Sequence, residues 1–268
     1  MLGYSRLSLA TVREHLVARA DDPEFSRLSS ELLAITSVLG REGALRRTLA
    51  DAGLPESRRT SIVAQLFSGK VSQLTVEVVR DVVSQRWSQP GDLVDAIDLL
   101  GAEAAFIVAE RDGRLDAIED ELFTFGRVFE GSPDLQLALT NPGLPAQAKA
   151  GIVRDLLSGR SQPETLALIE HLVTDLRGRR LHSAINELVE LAAIRRERLV
   201  AVVTSARPLE DDQATRLAAV LGRIYHRQVR LQSEINPDVM GGVAVRVGGE
   251  VIDGTIAHRL EQARRLIG

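Results

Sequence analysis

The 268-residue sequence contains no cysteine, and aromatic residues make up only 3% of it. Without cysteine the protein cannot form disulfides, use a thiol nucleophile or bind a metal through thiolates. With so few aromatic side chains, the hydrophobic core has to be built from Leu, Val, Ile and Ala, which suits helices. These absences exclude a disulfide scaffold and every form of cysteine chemistry.

The sequence also lacks an excess of basic residues and any long apolar run. Its net charge is -4 at neutral pH, whereas a nucleic-acid-binding protein needs a basic face. No uncharged apolar stretch reaches the roughly 18 residues that span a bilayer, and residues 1–6 lack the features of a secretory signal. We therefore expect a cytoplasmic protein of two or three globular domains that binds no nucleic acid.

What the sequence does contain is an internal repeat, because residues 31–70 recur in phase at residues 121–160. One apolar stripe keeps the same steps of four, three and four residues in both copies. The stripe consists of Leu28, Leu32, Ile35 and Leu39 in the first copy and Ile118, Leu122, Phe125 and Phe129 in the second. A fixed offset with preserved helical phase indicates a duplicated helical bundle.

Proline and glycine mark the ends of one helix in both copies. Pro55 and Pro145 are predicted to begin this helix, where the missing N–H has no cost. Gly69 and Gly159 are predicted to follow its end in the left-handed conformation.

After residue 87 the offset between the copies shrinks by two residues. The segment 92–111 therefore matches the last helix of the second copy, although by its order in the chain it also opens that copy. We predict one long helix that closes the first bundle and starts the second. A break near Gly101 is the alternative.

From Leu199 the periodicity becomes that of a small α/β domain. Strand patterns cover residues 199–203, 229–235, 243–247 and 250–252, and Gly248-Gly249 has the composition of a two-residue hairpin turn with positive φ. An amphipathic helix follows the first strand, and Thr255 can cap a last helix. The predicted fold class is mainly α, with two tandem helical bundles followed by a C-terminal α/β domain of order β-α-β-β-β-α.

The predicted domain boundaries follow from the repeat and from this change of period. Residues 1–97 form an extra bundle whose last helix extends to about residue 111, residues 98–198 form a six-helix bundle, and residues 199–268 form the α/β domain.

No group of residues indicates catalysis, a cofactor or a metal. Ser68-Gly69-Lys70 lacks the first glycine and the final hydroxyl of a phosphate-binding loop. Asp211 and Asp212 fit the positive end of a helix better than an acid–base pair. The histidines show no ligand spacing; they are His15, His171, His182, His226 and His258. We therefore predict no catalytic, cofactor-binding or metal-binding residue.

A stripe of small residues on the predicted shared helix would allow another helix to approach closely. It consists of Ala102, Ala105, Phe106 and Ala109. Packing within the bundle is one explanation, and a groove that receives an amphipathic helix of a partner is the other.

Several motifs between about residue 100 and the C-terminus form one family pattern. They are Ala104-Ala105-Phe106, Gly113-Arg114-Leu115-Asp116, Asn141-Pro142-Gly143-Leu144-Pro145, Val203-Thr204-Ser205-Ala206, Pro237-Asp238-Val239-Met240-Gly241-Gly242-Val243, Arg246-Val247-Gly248, Val251-Ile252-Asp253-Gly254-Thr255 and Arg259-Leu260-Glu261. The pattern resembles that of the F-type ATP synthase delta subunits, which include the mitochondrial oligomycin-sensitivity-conferring protein.

The sequence departs from this family pattern in three places. Gly101 stands where the family usually has Tyr, which puts any contact of that Tyr in doubt. Glu210 stands where Ser or Thr usually caps the first helix of the α/β domain. Residues 1–97 have no counterpart in the ordinary subunit, and such long forms are characteristic of some high-GC bacteria.

The resemblance implies a non-catalytic stator subunit without a cofactor, located peripherally at the cytoplasmic face of the cell membrane. Its second bundle would receive the N-terminal helix of an α subunit. Its α/β domain would bind the C-terminal end of the membrane-anchored b subunit, so that it meets the membrane only through the complex. The family motifs contain five expected partner-binding residues: Met240, Gly241, Gly242, Asp253 and Gly254.

We also predict that the first bundle offers a second, weaker site, for another α subunit or for the b stalk. Two other classes of function fit the sequence less well. A general helical adaptor has no reason to carry the Gly-Gly hairpin followed by Ile252-Asp253-Gly254-Thr255, and an enzyme is disfavoured because the sequence nominates no reactive group.

Overall fold

The computed structural model describes residues 3–196, 199–225, 229–236, 239, 241–247 and 250–253, which form twelve helices and four strands. They belong to two compact units, Met1–Arg196 and Glu197–Gly268. The first unit contains α1 (Tyr4–Ala18), α2 (Phe25–Arg41), α3 (Gly43–Ala50), α4 (Glu56–Phe67), α5 (Gln73–Ser84), α6 (Pro90–Arg111), α7 (Leu115–Gly131), α8 (Pro133–Thr140), α9 (Ala146–Leu157), α10 (Pro163–Thr174) and α11 (Leu181–Arg196). The second contains β1 (Leu199–Ser205), α12 (Asp211–Tyr225), β2 (Val229–Ile235), β3 (Val243–Val247) and β4 (Glu250–Asp253). The predicted fold class, mainly α with a small α/β region, is confirmed.

The repeat is exact at the level of helix boundaries. The helices α2, α3, α4 and α5 recur as α7, α8, α9 and α10, and each begins and ends ninety residues after its counterpart. Pro55 and Pro145 lie at the N-caps of α4 and α9. Gly69 and Gly159, which follow the ends of these helices, have φ values of 75° and 70°. The predicted left-handed conformation of Gly69 and Gly159 is therefore confirmed. Glycine is suited to these positions because it adopts a positive φ without strain.

Polar contacts are repeated as well. The carboxylate of Glu31 accepts hydrogen bonds from the backbone N–H of Ser72 at 2.9 Å and the hydroxyl of Thr75 at 2.6 Å, at the start of α5. Ninety residues later, Glu121 accepts from the N–H of Gln162 at 2.9 Å and the hydroxyl of Thr165 at 2.6 Å, at the start of α10. In each bundle a carboxylate from one helix therefore satisfies the free donors at the positive end of another.

We expect Glu31→Gln and Glu121→Gln each to lower the free energy of unfolding by about 1–2 kcal/mol, because a charge-assisted hydrogen bond at a helix start becomes a neutral one. Burial would raise the pKa of Glu31, but the hydrogen bonds from Ser72 and Thr75 hold it below the ordinary value. The contribution of the Glu31 carboxylate to the stability of the folded protein is therefore complete above the ordinary Glu pKa, and it is lost as the pH falls through the folded-state pKa. Urea denaturation measures the effect. Glu14→Gln, on the exposed side of α1, is the control, and a loss no larger than in this control would contradict the assignment.

The helix α6 runs without a break from Pro90 to Arg111 and passes straight through Gly101. One set of its side chains belongs to the core of the first bundle: Leu93, Val94, Ala96, Ile97, Leu100, Ala104 and Ile107. Another set belongs to the core of the second bundle: Ala102, Ala105, Phe106 and Ala109. A helix with apolar residues on two of its sides has to be buried on both, and α6 meets this requirement by serving two cores.

Gly101 is required where the first bundle meets α6. A Cβ atom at this position would lie 2.9 Å from Cδ2 of Leu33 and 3.4 Å from Cβ of Leu32, both on α2. The side chain of Leu33 is 7% exposed and packs in the second core rather than the first. The Tyr usual in the family has no room here, which explains the departure found in the sequence.

The second unit contains a four-stranded sheet in the order β2-β1-β3-β4. The strand β1 pairs parallel to β2 and antiparallel to β3, and β3 pairs antiparallel to β4. Val203, Leu221 and Val245 form the buried centre between the sheet and α12. The order β-α-β-β-β is confirmed, whereas the Gly248-Gly249 turn and the last helix predicted after Thr255 lie outside the described residues.

Glu210 occupies the cap position before α12 although its side chain is not that of Ser or Thr. Its backbone N–H donates to the side-chain oxygen of Gln213 at 3.2 Å, and its carbonyl accepts from the N–H of Ala214 at 2.9 Å. The side chain three residues into the helix thus supplies half of a capping box. Within the described parts of both units, no helix is both long and apolar enough to cross a membrane.

Candidate partner-binding sites

A groove with a volume of about 460 Å³ lies in the first unit beside residues 95–102 of α6. Its lining comes from both bundles, because α1 and α2 contribute as well as α6, α10 and α11. The apolar lining residues are Leu9, Leu33, Leu99, Ala102, Leu168, Leu172, Ala184, Leu188, Leu191 and Ile194. Ile194 is 60% exposed, so an apolar side chain stands in contact with water at the edge of the groove.

The charged side chains of the groove differ in sign from one helix to another. Arg6 is the charged lining residue of α1, whereas α11 contributes Glu187 and Glu190. All three are exposed. Most of the groove lining is apolar, with a positive charge on α1 from the first bundle and negative charges on α11 from the second. Asp95, Asp98, His171 and Arg179 complete the lining.

A buried ion network lies at one side of the groove. The Asp98 side chain on α6 is only 9% exposed. It lies 2.7 Å from Nε2 of His171, accepts a hydrogen bond from Arg179 at 2.8 Å, and is also paired with Arg177. Arg177 reaches a second carboxylate, that of Asp95, at 2.8 Å. These contacts join α6 to α10 and to the loop before α11.

The network determines both the charge of Asp98 and the shape of this loop. Burial by itself would raise the pKa of Asp98, but the hydrogen bond with His171 and the positive charges of Arg177 and Arg179 outweigh it and hold the pKa below the ordinary value. Arg177 has a φ of 47° and is the only residue other than glycine with a positive φ in the described chain. Such a backbone conformation is retained only where surrounding contacts hold it, and two carboxylates do so here.

The apolar lining of this groove suits an apolar surface of a partner, and its most buried charged group is already paired. The carboxylate of Asp98 is already occupied by three partners, His171, Arg177 and Arg179, and is not open to a substrate proton. Among the described residues, no group of three or more His, Asp or Glu side chains is placed to hold a metal ion. The side chain of His171 on α10 is 9% exposed and lies against Asp98 of α6.

The structure places all four residues of the predicted small-residue stripe in the second core. Ala102, Ala105, Phe106 and Ala109 are 3%, 4%, 0% and 0% exposed, and Ala102 also lines the groove. Internal packing accounts for this stripe, and a contact between its residues and a partner stays a prediction.

The groove residues of α1, α2 and α11 could not be predicted from the sequence, because they are far from residues 95–102 of α6 in the chain. One available signal was Ile194, since it is an apolar residue outside the repeating core stripe of its helix.

A second cavity, of about 630 Å³, lies in the second unit between the loop after β1 and the start of β3. Gly241 and Gly242 line it with φ values of 85° and 81°, a conformation that a residue with a side chain adopts only with strain. Arg207 and Glu210 line the cavity as well. Asp253 ends β4, where its backbone pairs with Ala244. Met240 and Gly254 lie outside the described residues.

Comparison with known proteins places this chain in one family. Residues 102–267 match the family model for the ATP synthase delta (OSCP) subunit. The chain is 45% identical over 271 residues to ATP synthase subunit delta of Streptomyces griseus subsp. griseus, with 100% of both chains covered. It is 44% identical to ATP synthase subunit delta of Parafrankia sp., with 99% of each chain covered. It is 42% identical to that of Thermobifida fusca, with 99% of this chain and 98% of the relative covered.

A chain in a cryo-EM structure of the Toxoplasma gondii mitochondrial ATP synthase hexamer is similar at 23% identity, over 62% of this chain and 94% of that one, but its TM-score of 0.28 is too low to compare the two folds. The family model begins inside α6, whereas each of the three bacterial relatives is matched over at least 98% of its length. The first bundle is therefore shared by these relatives and lies outside the general family pattern. The chain belongs to the ATP synthase delta (OSCP) subunit family, the peripheral-stalk subunit of F-type ATP synthases.

Proposed function

We propose that this chain is a non-catalytic stator subunit that joins the catalytic head of an F-type ATP synthase to the b stalk. Holding the head against the rotor makes proton-driven rotation act on the nucleotide sites. The helical unit binds the head, the α/β unit binds the stalk, and the chain meets the membrane only through the complex, at its cytoplasmic face. Two moderate contacts on one chain strengthen the joint attachment, because the second binding event becomes intramolecular.

The proposed binding of the catalytic head rests on the groove beside α6. Its apolar lining and the exposed Ile194 suit the apolar face of an amphipathic helix, a common mode of recognition. We assign the N-terminal helix of an α subunit to this groove. The family pattern implied such a helix, and an apolar patch rimmed by charge supports this assignment.

The cavity beside Gly241 and Gly242 is the corresponding candidate for the stalk. Because the backbone at these two residues carries no side chain, a partner can approach the main chain closely. We assign the C-terminal end of the b subunit to this unit. We propose that the chain has three functional parts: the extra bundle (1–97), the family-type bundle (98–198) and the stalk-binding domain (199–268). The first boundary falls inside α6, so the two bundles act as one body.

We expect Ile194→Lys to weaken binding of a peptide with the sequence of the α-subunit N-terminal helix by at least about tenfold. The substitution removes an apolar contact at the groove and leaves an ammonium facing the apolar stripe of the peptide, and a tenfold change corresponds to about 1.4 kcal/mol. Isothermal titration calorimetry on the full chain measures the effect.

The matched control is Leu137→Lys on α8, which is 70% exposed and does not line the groove. It should leave the affinity unchanged. Binding of a C-terminal b fragment should be the same in the wild type and both variants, because that site lies in the other unit. Equal loss of peptide binding in the two variants, or no binding of the α peptide to the wild type, would refute this assignment of the groove.

A further inference from the structure

The two sides of the groove come from different copies of the repeated bundle. Helices α1 and α11 both pack on α6 and both line the groove, and α1 belongs to the first bundle while α11 belongs to the second. Leu33 of α2 adds an apolar contribution from the first bundle. A chain without the first bundle would present only one of these two sides.

The charges on the two sides are opposite and accessible. Arg6 on α1 is exposed, and the Glu187 side chain on α11 is 61% exposed although it lies 3.7 Å from Arg179. Glu190, one turn further along α11, is exposed as well. Charges at the rim of an apolar site contribute little affinity, but they determine which partner is accepted.

We propose that the first bundle is part of the binding site, and that the groove selects an amphipathic helix with an acidic flank, which faces Arg6, and a basic flank, which faces Glu187 and Glu190. This inference rests on the proposed function, since it assumes that the groove receives a helix. It adds that residues of the first bundle determine specificity. Because reversing the helix exchanges its two flanks, the same charges fix the direction in which the helix lies.

Three synthetic amphipathic peptides test the proposal on the full chain. All have the same length and the same apolar stripe. The first is acidic on one flank and basic on the other, the second is basic on both flanks, and the third is acidic on both. For the wild type we expect the first peptide to bind about three- to tenfold more tightly than the other two at low salt, because each partly exposed charge pair contributes modestly. The difference should shrink as ionic strength rises.

Charge reversal on each side should exchange the preferred peptide. Arg6→Glu makes both sides acidic, so the peptide with two basic flanks becomes the tightest. Glu187→Lys combined with Glu190→Lys makes both sides basic, so the peptide with two acidic flanks becomes the tightest. Arg47→Glu, on an exposed position of α3 outside the groove, is the matched control and should keep the wild-type order. Circular dichroism checks that every variant is folded.

The outcomes separate this inference from the proposed function. If the α-subunit peptide binds but Arg6→Glu leaves the order of the three model peptides unchanged, the first bundle takes no part in selection and the inference is overturned while the groove assignment stands. If sedimentation shows a dimer of the free chain that Arg6→Glu dissociates, the groove is covered by a second copy, which also overturns the inference. Loss of binding of every peptide, the α-subunit peptide included, would refute the proposed function itself.

Discussion

Replacing Asp98 with Asn should lower the free energy of unfolding by about 3–5 kcal/mol at neutral pH, the range observed when one partner of a buried ion pair is removed. The amide keeps the volume of the carboxylate but cannot balance the positive charge of Arg177 and Arg179. The Arg177 side chain is only 12% exposed, so water cannot replace the missing partner. Urea denaturation of the full chain, followed by circular dichroism, measures the loss.

The pH dependence provides an independent check on the same residue. The pKa of Asp98 is lower in the folded protein than in the unfolded chain. The contribution of its carboxylate to stability is therefore complete above the unfolded pKa of about 4, and it is lost as the pH falls through the folded-state pKa. Stability of the wild type should therefore decline more steeply in acid than stability of Asp98→Asn, and the two curves should converge at the lowest pH.

Asp95→Asn is the matched control for Asp98→Asn. Asp95 lies on the same helix and also pairs with Arg177, but its side chain is 49% exposed. Removal of its charge should cost less than about 1 kcal/mol, as is usual for exposed pairs. Two results would show that the buried network does not act as described. One is an equal loss of unfolding free energy in Asp95→Asn and Asp98→Asn. The other is an equally steep decline in stability with falling pH for the wild type and Asp98→Asn.

Replacing Gly101 with Leu should cost about 3 kcal/mol, because the new side chain has to displace α2 from α6. A Cβ atom alone already meets Leu33 at 2.9 Å, and overpacking of a well-filled core costs up to about 3 kcal/mol. Gly101→Ala should have a much smaller effect. The single methyl group conflicts mainly with the end of the Leu33 side chain, and the gain in helix propensity of about 1 kcal/mol offsets part of that conflict.

Gly151→Leu is the control for Gly101→Leu, since Gly151 lies within α9 and a Cβ there has no neighbour within 4 Å. This variant should be neutral or slightly stabilising. The double variant Gly101→Leu with Leu33→Ala should recover part of the loss, because the two residues compete for the same volume. If the stability losses of Gly101→Leu and Leu33→Ala simply add in the double variant, the two side chains do not compete for the same volume. The departure from the family Tyr would then be unexplained.

Much of this architecture could be predicted because helical periodicity and turn residues are local signals. The stripe from Leu28 to Leu39 and its copy face the two cores as predicted, and Gly69 and Gly159 have the positive φ that their positions required. The strands of the second unit were recognisable from β-branched and alternating segments. Each of these features depends on residues within a few positions of one another.

The candidate site was much less predictable, because its parts meet only after folding. Asp98 lies 73 and 81 residues before His171 and Arg179, and no periodic pattern relates residues at such distances. The stripe of Ala102, Ala105, Phe106 and Ala109 was correctly placed on one helix face. Its sequence nevertheless allowed two explanations, since a face that packs inside a bundle and a face that binds a partner need the same small residues.

The sequence by itself determined the helical phase, the duplication, the order of strands and helix along the chain in the described α/β unit, and the family, since all of these depend on local pattern and motif. Only the tertiary structure decided which side of α6 serves which core, why Gly101 replaces the usual Tyr, and how both bundles combine to form one groove. The physical reason is that local pattern specifies which residues are to be buried, whereas packing of distant segments decides what they are buried against.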